Sequence, residues 1–463
     1  VLGRVCYHPC EQACKRGYVD QPLSICSLKR FASDQYDLAS LPIPEITKTG
    51  KKVAVIGAGP AGLTAAHDLA LAGHQVTIYE ALPEPGGMVR VGIPAYRMPR
   101  ETLKKDIDYI KKLGVEIVTN AKVGDKPKLA ELQKLFDAVL MASGAHNSLK
   151  LNVPGEESKG VFHGVDFLRA VALGQKVEIG SSVAVVGGGN TAIDAARTAR
   201  RLGAKVTIVY RRGRDEMPAN EVEIVAAEEE GIEIMLLAAP TKVIADGGKV
   251  TAIECVKMKL GAPDASGRPR PEPIAGSEFK LDVDTIIPAL GQAPNLSFAK
   301  DLNVAVSGKG TVKVDEASLV TSVQGIFACG DAVTGPLMVV DAMASGRKAA
   351  ASIDLYLKGQ PLPTTAQPKA EAKKPSEQEI EELKEKFPEK ARLKMAETPA
   401  DTRIKNFSEV ELGFTPEQAM EEAKRCLACG VCSECRECVR LCQAGAINHD
   451  MKDEILTYQI GSI

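Results

Sequence analysis

The stretch that decides the fold is Lys52-Val-Ala-Val-Ile56, then Gly57-Ala-Gly59-Pro-Ala-Gly62, then the apolar, alanine-rich run Leu63 to Ala72. Five residues of buried-strand character lead into a glycine turn, and the turn opens a helix. Gln75 to Tyr79 reads as the next strand, and Glu80 closes it. Each glycine has a separate task in such a turn. Gly57 permits the tight bend, Gly59 lets the backbone approach a pyrophosphate, and Gly62 allows helix and strand to pack closely. The helix N-terminus adds positive potential. An acid about 20 residues after the first glycine is placed to accept hydrogen bonds from a ribose diol, which is the position of Glu80.

The same grammar recurs at Ser182 to Tyr210 around Gly187-Gly-Gly189-Asn190-Thr191-Ala192, with Ala in place of the third Gly. There the position equivalent to Glu80 is Tyr210, followed by Arg211, Arg212 and Arg214. A carboxylate would repel a 2'-phosphate, whereas guanidinium groups bind one through charge-assisted hydrogen bonds. The second turn is therefore expected to take NADPH, the alternative being that the arginines form a solvated strand end. Asp137 to Gly144 (DAVLMASG) and Thr285 to Gly291 (TIIPALG) read as further strands ending in glycine turns. Gly325 to Asp331 (GIFACGD) and the helix-like Ala342 to Leu357 follow with no nucleotide fold of their own to complete. The economical arrangement interrupts the first fold, inserts the second, and returns the chain to finish the first sheet.

Cysteine placement points to metal. Ten of the twelve cysteines fall in two short tracts, with only Cys255 and Cys329 between them. Clusters of this kind in a large chain read as metal ligands, and the isolated pair as buried small hydrophobes. The C-terminal tract is Cys426-x2-Cys429-x2-Cys432-x2-Cys435-x2-Cys438-x3-Cys442. Its last four cysteines match the bacterial ferredoxin run for a 4Fe-4S cube, with Gln443 where ferredoxins place Pro; the alternative is zinc, whose sites generally use two separated Cys pairs. Cys426 and Cys429 are the harder pair to place, and Cys442 could serve another cluster. The N-terminal tract is Cys6-x3-Cys10-x3-Cys14-x11-Cys26. One 4Fe-4S cluster is expected on these four thiols, with zinc or the remnant of a larger cluster domain as the alternatives.

The remaining composition narrows the class. The 463 residues are 44% hydrophobic and 25% charged, with no Trp and a formal charge of −2. Nothing in that balance calls for nucleic acid. No apolar run approaches the roughly 18 residues of a bilayer span, and a cytoplasmic location is expected. From Gly359 to about Ala400 the chain turns rich in Pro, Ala, Lys and Glu, the composition of a linker that is partly helical at Ser376 to Lys386.

The segments GAGPAGL (57–63), EPGGMVRVGIPAYRMPR (84–100), GGGNTAIDAAR (187–197), YRRGRDEMPA (210–219) and GIFACGDAV (325–333) resemble the NADPH-dependent glutamate synthase small-subunit (beta) family. The resemblance reaches to about Ala444 and extends to the electron-entry module of dihydropyrimidine dehydrogenase and the large subunit of NADH-dependent ferredoxin:NADP oxidoreductase. It implies FAD in the first fold and NADPH in the second. It also implies that Gly87, Arg97 and Met98 lie along the flavin, that Asp331 bonds the ribityl-phosphate region, and that Glu216 sits near the nicotinamide. For Asp331, a plain loop cap is the alternative.

The expected fold is α/β, with two Rossmann-like dinucleotide-binding domains, the second inserted in the first, flanked by N- and C-terminal iron-sulfur segments. The expected divisions are an iron-sulfur segment at 1–45, FAD-binding parts at 46–148 and 286–358, an NADPH-binding domain at 149–285, a linker at 359–415 and a ferredoxin-like segment at 416–463. The expected function is electron transfer between NADPH, FAD and 4Fe-4S clusters, with no side chain required as a catalytic acid or base. Flow in either direction and an electron-bifurcating variant are covered by this reading. The rivals are a wiring subunit that keeps clusters without nucleotide turnover, and glutamate synthase small subunit proper. A disulfide reductase would need a redox cysteine pair, yet residues 81–137 contain no Cys. The start at Val1 inside a cysteine pattern, and a tail (Glu454 to Ile463) resembling heterodisulfide reductase A-like proteins, suggest a segment of a longer polypeptide. Other redox subunits are the expected partners.

Overall fold

The computed structural model describes residues 1–264, 267–365 and 375–427. Two parallel sheets carry the nucleotide turns. The first has five strands in the order Ile326–Ala328, Ala138–Met141, Lys52–Ile56, Gln75–Tyr79, Glu116–Val118. Apart from the edge strand Glu116–Val118, its strands are buried on both faces, because helices Pro60–Leu71 and Val339–Leu357 cover one side and a smaller apolar cluster covers the other. The edge strand Ile326–Ala328 comes from beyond the second sheet and pairs with Ala138–Met141.

The second sheet has four strands in the order Thr285–Pro288, Ser182–Val186, Lys205–Val209, Glu233–Met235. Its connection from Val186 runs through the glycine turn into helix Asn190–Arg201. Where the chain passes between the two sheets, Asn147–Ser148 pairs antiparallel with Gln292–Ala293. The crossing is two residues wide on each side.

One element has no counterpart in the sequence reading. Lys249–Pro263 and Pro269–Asp282 form a long antiparallel hairpin, extended by Ala238–Asp246 into a three-stranded sheet. Its alternation is interrupted by bulges near Val256 and Leu260, which hides the period-2 signal.

Ahead of the first sheet, short helices Leu2–Val5 and Pro9–Gln12 pack with helix Ile25–Asp34. The stretch expected to be a linker contains helix Glu377–Lys386, capped by Ser376, whose hydroxyl accepts the Glu379 amide. Further on, residues 388–427 lie against the N-terminal segment and the second unit through the ion pairs given below. Cys255 and Cys329 are fully buried, as small hydrophobes are.

Candidate functional site

The two glycine turns are built alike and finished differently. In the first, Gly57 has φ +103° and a Cβ there would lie 2.5 Å from the Ala142 carbonyl oxygen. A Cβ on Gly62 would lie 2.0 Å from the Gly57 oxygen, so helix and turn meet without space for a methyl group. Gly59 caps the helix and has only the Gly87 Cα nearby, at 3.8 Å from its ideal Cβ position. Gly87 itself has φ +53°, and a Cβ on it would come within 2.6 Å of the Gly59 Cα. Two glycine backbones thus face each other across one wall of a cavity of about 650 Å³.

Glu80, 6% exposed, sits on that cavity. Its Oε2 accepts the Ala58 amide at 2.7 Å and its Oε1 the Leu82 amide at 2.8 Å. Burial raises its carboxyl above the usual range, while those amides pull it back. Each oxygen keeps a further lone pair for a ribose hydroxyl. Across the cavity, Gly330 takes φ +63° and Asp331 begins a short helix, its Oδ1 accepting the Leu337 amide at 3.3 Å. Burial, with Asp341 adding to it, pushes the Asp331 carboxyl up to about 6. Met338 and Val339, at the start of helix Val339–Leu357, also line the space, so the positive end of a 19-residue helix is turned toward it.

Not every expected residue reaches this cavity. Arg97 donates from Nη1 to both oxygens of Asp194, at 2.9 and 2.8 Å. Its Nε lies 2.7 Å from Glu223 Oε1 without an N–H aimed at that oxygen. Met98 is fully buried in the core of the first sheet. Neither belongs to the cavity lining, which Gly87 does. The sequence reading passed over Ser143, His146, His163 and Arg169, all of which line it. Ser143 Oγ and His163 Nδ1 are buried without a partner among the described residues. Burial and the Arg169 charge push His146 down to about 4, so its ring is neutral at physiological pH. The only sequence signal for these residues was Ser143, at the end of the strand-and-turn stretch DAVLMASG.

A cavity of this volume with paired glycines, a buried acid, orphaned polar atoms and a helix N-terminus fits FAD.

In the second turn, Gly187 has φ +144° and a Cβ there would lie 2.4 Å from the Ala289 oxygen. A Cβ on Gly188 would come within 2.6 Å of the Tyr210 ring, so the aromatic face lies against the turn. Gly189 caps the helix and opens outward, Asn190 Oδ1 accepts the Asn220 amide at 3.0 Å, and Thr191 is half-buried. The Tyr210 hydroxyl donates to the Glu216 carbonyl at 2.6 Å. The three arginines then part company. Arg212 is 4% exposed, donating from Nε to the Pro269 carbonyl at 2.9 Å and pairing with Asp264 at 2.6 Å. Arg214 pairs with Glu221 and Glu228. Arg211 is exposed and makes no ion pair among the described residues. The chemistry fits a 2'-phosphate at Arg211, because no carboxylate ends the strand.

Cys6, Cys10, Cys14 and Cys26 are all half-buried in the N-terminal segment. The Cys26 sulfur lies 3.5 Å from the Gly3 carbonyl and 3.9 Å from the Cys6 carbonyl. Burial pushes Cys10 up to about 11 and Cys26 up to about 12, with Lys29 opposing and Cys6 adding in both cases. Among the described residues, no three His, Cys, Asp or Glu side chains are grouped closely enough to hold a metal ion. What fits a cluster is the donor chemistry, four thiols on one small unit. Cys426 is exposed, and the Arg425 before it is buried against Asp20 (2.9 Å) and Glu422 (2.7 Å). The C-terminal tract therefore starts beside the N-terminal one. Cys429, Cys432, Cys435, Cys438 and Cys442 lie outside the described residues.

Two parallel sheets, each with a dinucleotide turn at its strand ends, define a two-nucleotide oxidoreductase. Residues 51–346 match the model of the pyridine nucleotide-disulphide oxidoreductases, and the chain belongs to that family. It is 45% identical over 458 residues to the NADP(+)-dependent formate dehydrogenase subunit beta of Moorella thermoacetica, covering 93% of this chain and 65% of that one. It is 44% identical over 464 residues to the NADPH-Fe(3+) oxidoreductase subunit beta of Geobacter sulfurreducens, covering 93% and 69%. The glutamate synthase [NADPH] small chain of Escherichia coli is 35% identical over 378 residues, covering 77% and 80%. The chain thus spans about two thirds of the length of the first two relatives. Among solved structures, FprA of Mycobacterium tuberculosis in complex with NADPH superposes with a TM-score of 0.57 at 20% identity, covering 67% of this chain and 85% of that one. Lactococcus lactis thioredoxin reductase gives 0.52 at 24%, covering 67% and 99%. These two likenesses show the fold. Among the described residues no helix is long and apolar enough to cross a membrane.

Proposed function

We propose that the chain moves electrons between NADPH, a bound FAD and 4Fe-4S clusters, as a cytoplasmic subunit or module of a larger redox complex. The observation that carries this reading is the contrast between the turns: a buried acid over a deep cavity in one, and an unpaired arginine after a tyrosine in the other. FAD supplies the change between two-electron hydride chemistry and one-electron transfer. The chain's own residues bind and orient. Gly57, Gly59, Gly62 and Gly87 give backbone access, Glu80 holds the adenosine ribose, and Asp331 meets the phosphate side. Gly187, Gly189, Asn190 and Thr191 form the second pyrophosphate turn, with Arg211 on the 2'-phosphate and Glu216 toward the nicotinamide half. The cysteines of the two tracts would hold the clusters. The names of the three relatives above all carry NADP(+) or NADPH and call each a subunit or a small chain, which supports nucleotide and partner alike.

Anaerobic titration with NADPH tests the reading. Bleaching of flavin absorbance, followed by bleaching of iron-sulfur absorbance, is the expected course. Cluster absorbance with no flavin would leave the wiring-subunit reading in its place.

A further inference from the structure

The stretch 388–427 touches every unit of the molecule, and its central part reaches the second unit through buried charge. Arg403, 3% exposed, sets its guanidinium between Glu230 (2.9 Å), Glu229 (2.7 Å) and Glu397 (2.8 Å). Glu230, 2% exposed, also accepts from Arg197 and Arg201. Both belong to helix Asn190–Arg201, the helix opened by the second glycine turn. A few residues beyond Arg403, the Val410 amide donates to the Tyr96 carbonyl at 2.9 Å. The Tyr96 ring in turn lies under Arg197 and Arg201, with guanidinium carbons 4.9 and 3.9 Å from its centroid. Arg97, next to it, reaches Asp194 on the same helix. Glu409 pairs with Arg4 at 2.7 Å and Arg30 at 3.0 Å, both on the cysteine-bearing N-terminal segment.

Apart from these contacts, the two sheet units meet at the two-residue crossing, where Arg169 Nη2 also donates to the His146 carbonyl at 3.1 Å, and through Arg90, whose Nη1 donates to the Ala172 carbonyl at 2.8 Å. Hinge motion about such a crossing is the default for paired domains. A tie through 396–412 restricts that freedom further. Buried ion pairs are suited to the task, because they favour one geometry more than they add net stability.

We propose that residues 396–412 form a strap locking the second nucleotide turn in one orientation relative to the first cavity, with Arg403 and Arg97 as positioning residues. The strap also fixes the N-terminal cysteine segment in the same frame through Glu409. This rests on the function proposed above for its kinetic consequence, and on the ion pairs and the Val410–Tyr96 hydrogen bond alone for its mechanical one. Arg403 is the better residue to test. Without it, Glu230 keeps two arginines, while Glu229 and Glu397 are exposed enough to be solvated.

The experiment compares Arg403→Met and Arg403→Lys with the wild type in the full, cofactor-loaded chain. In Arg403→Met, amide hydrogen exchange in 396–412 and in helix Asn190–Arg201 is expected to quicken about ten-fold or more. Flavin reduction by NADPH in a single turnover is expected to slow about ten-fold or more, with the NADPH Kd held within about two-fold, as for a misplaced reactant. Arg403→Lys should recover part of both. Unchanged exchange in the helix overturns the lock. Faster exchange with an unchanged reduction rate overturns the positioning role, and so does an equal loss of NADPH affinity and rate. Should NADPH fail to reduce the wild-type flavin, the function proposed above falls, and hydrogen exchange alone then decides the lock.

Discussion

The first and second glycine turns differ at two matched positions, and each difference has a physical cause. Where the first turn needs Gly62, the second carries Ala192. The first helix presses its third turn residue against the Gly57 carbonyl, whereas the second leaves space for one methyl group. Where the first strand ends in Glu80, the second ends in Tyr210, whose ring packs on Gly188. A small offset between helix and strand thus sets what each turn tolerates. In the function proposed above, the residue after the strand sets what each turn binds.

The strongest way to break this comparison is to exchange the small residues. Gly62→Ala should cost about 1–3 kcal/mol from overpacking, and FAD should be lost from most chains. Ala192→Gly should cost about 1 kcal/mol of helix stability and leave FAD content unchanged. Flavin-to-protein ratio and thermal melting check both, and full FAD in Gly62→Ala would refute the asymmetry.

The arginines sharpen the comparison next. Arg211→Ala should raise the KM for NADPH about ten-fold while sparing NADH, as for a lost phosphate contact. Arg212→Ala should weaken both nucleotides alike, since its partners are Asp264 and the Pro269 carbonyl in the hairpin. Steady-state kinetics with the two nucleotides separate these outcomes.

A smaller effect is expected at Tyr210. Tyr210→Phe removes one hydrogen bond, to the Glu216 carbonyl, and should cost about 1 kcal/mol, read as a lower Tm. A separate test is a pH slope in the apoprotein. The Asp331 carboxyl lies at about 6 in the folded chain, above its ordinary value. The folded state therefore holds a proton that the unfolded chain releases. Its contribution is fully present below about pH 4 and is lost as pH rises toward 6. Asp331→Asn should flatten that part of a melting-against-pH curve.

Much of the first site was legible because its determinants are local. Gly57 to Gly62 and Glu80 act through backbone sterics and through amides within one strand-turn-helix unit. The hairpin Lys249–Asp282 was not legible, because bulges break its alternation. His163 was not legible either, since what places it on the cavity is the packing of the second unit against the first.

The sequence by itself determined the two nucleotide turns, the expectation of NADPH at the second, and the cysteine tracts. These follow from residue type at short, fixed spacing. Only the tertiary structure decided that Arg211 is exposed while Arg212 holds the hairpin, that Arg97 grips Asp194, and that Arg403 joins a strap to Glu230. A guanidinium binds whichever carboxylate the fold brings within 3 Å or so, and that partner, here 52 to 173 residues away, leaves no trace in local spacing.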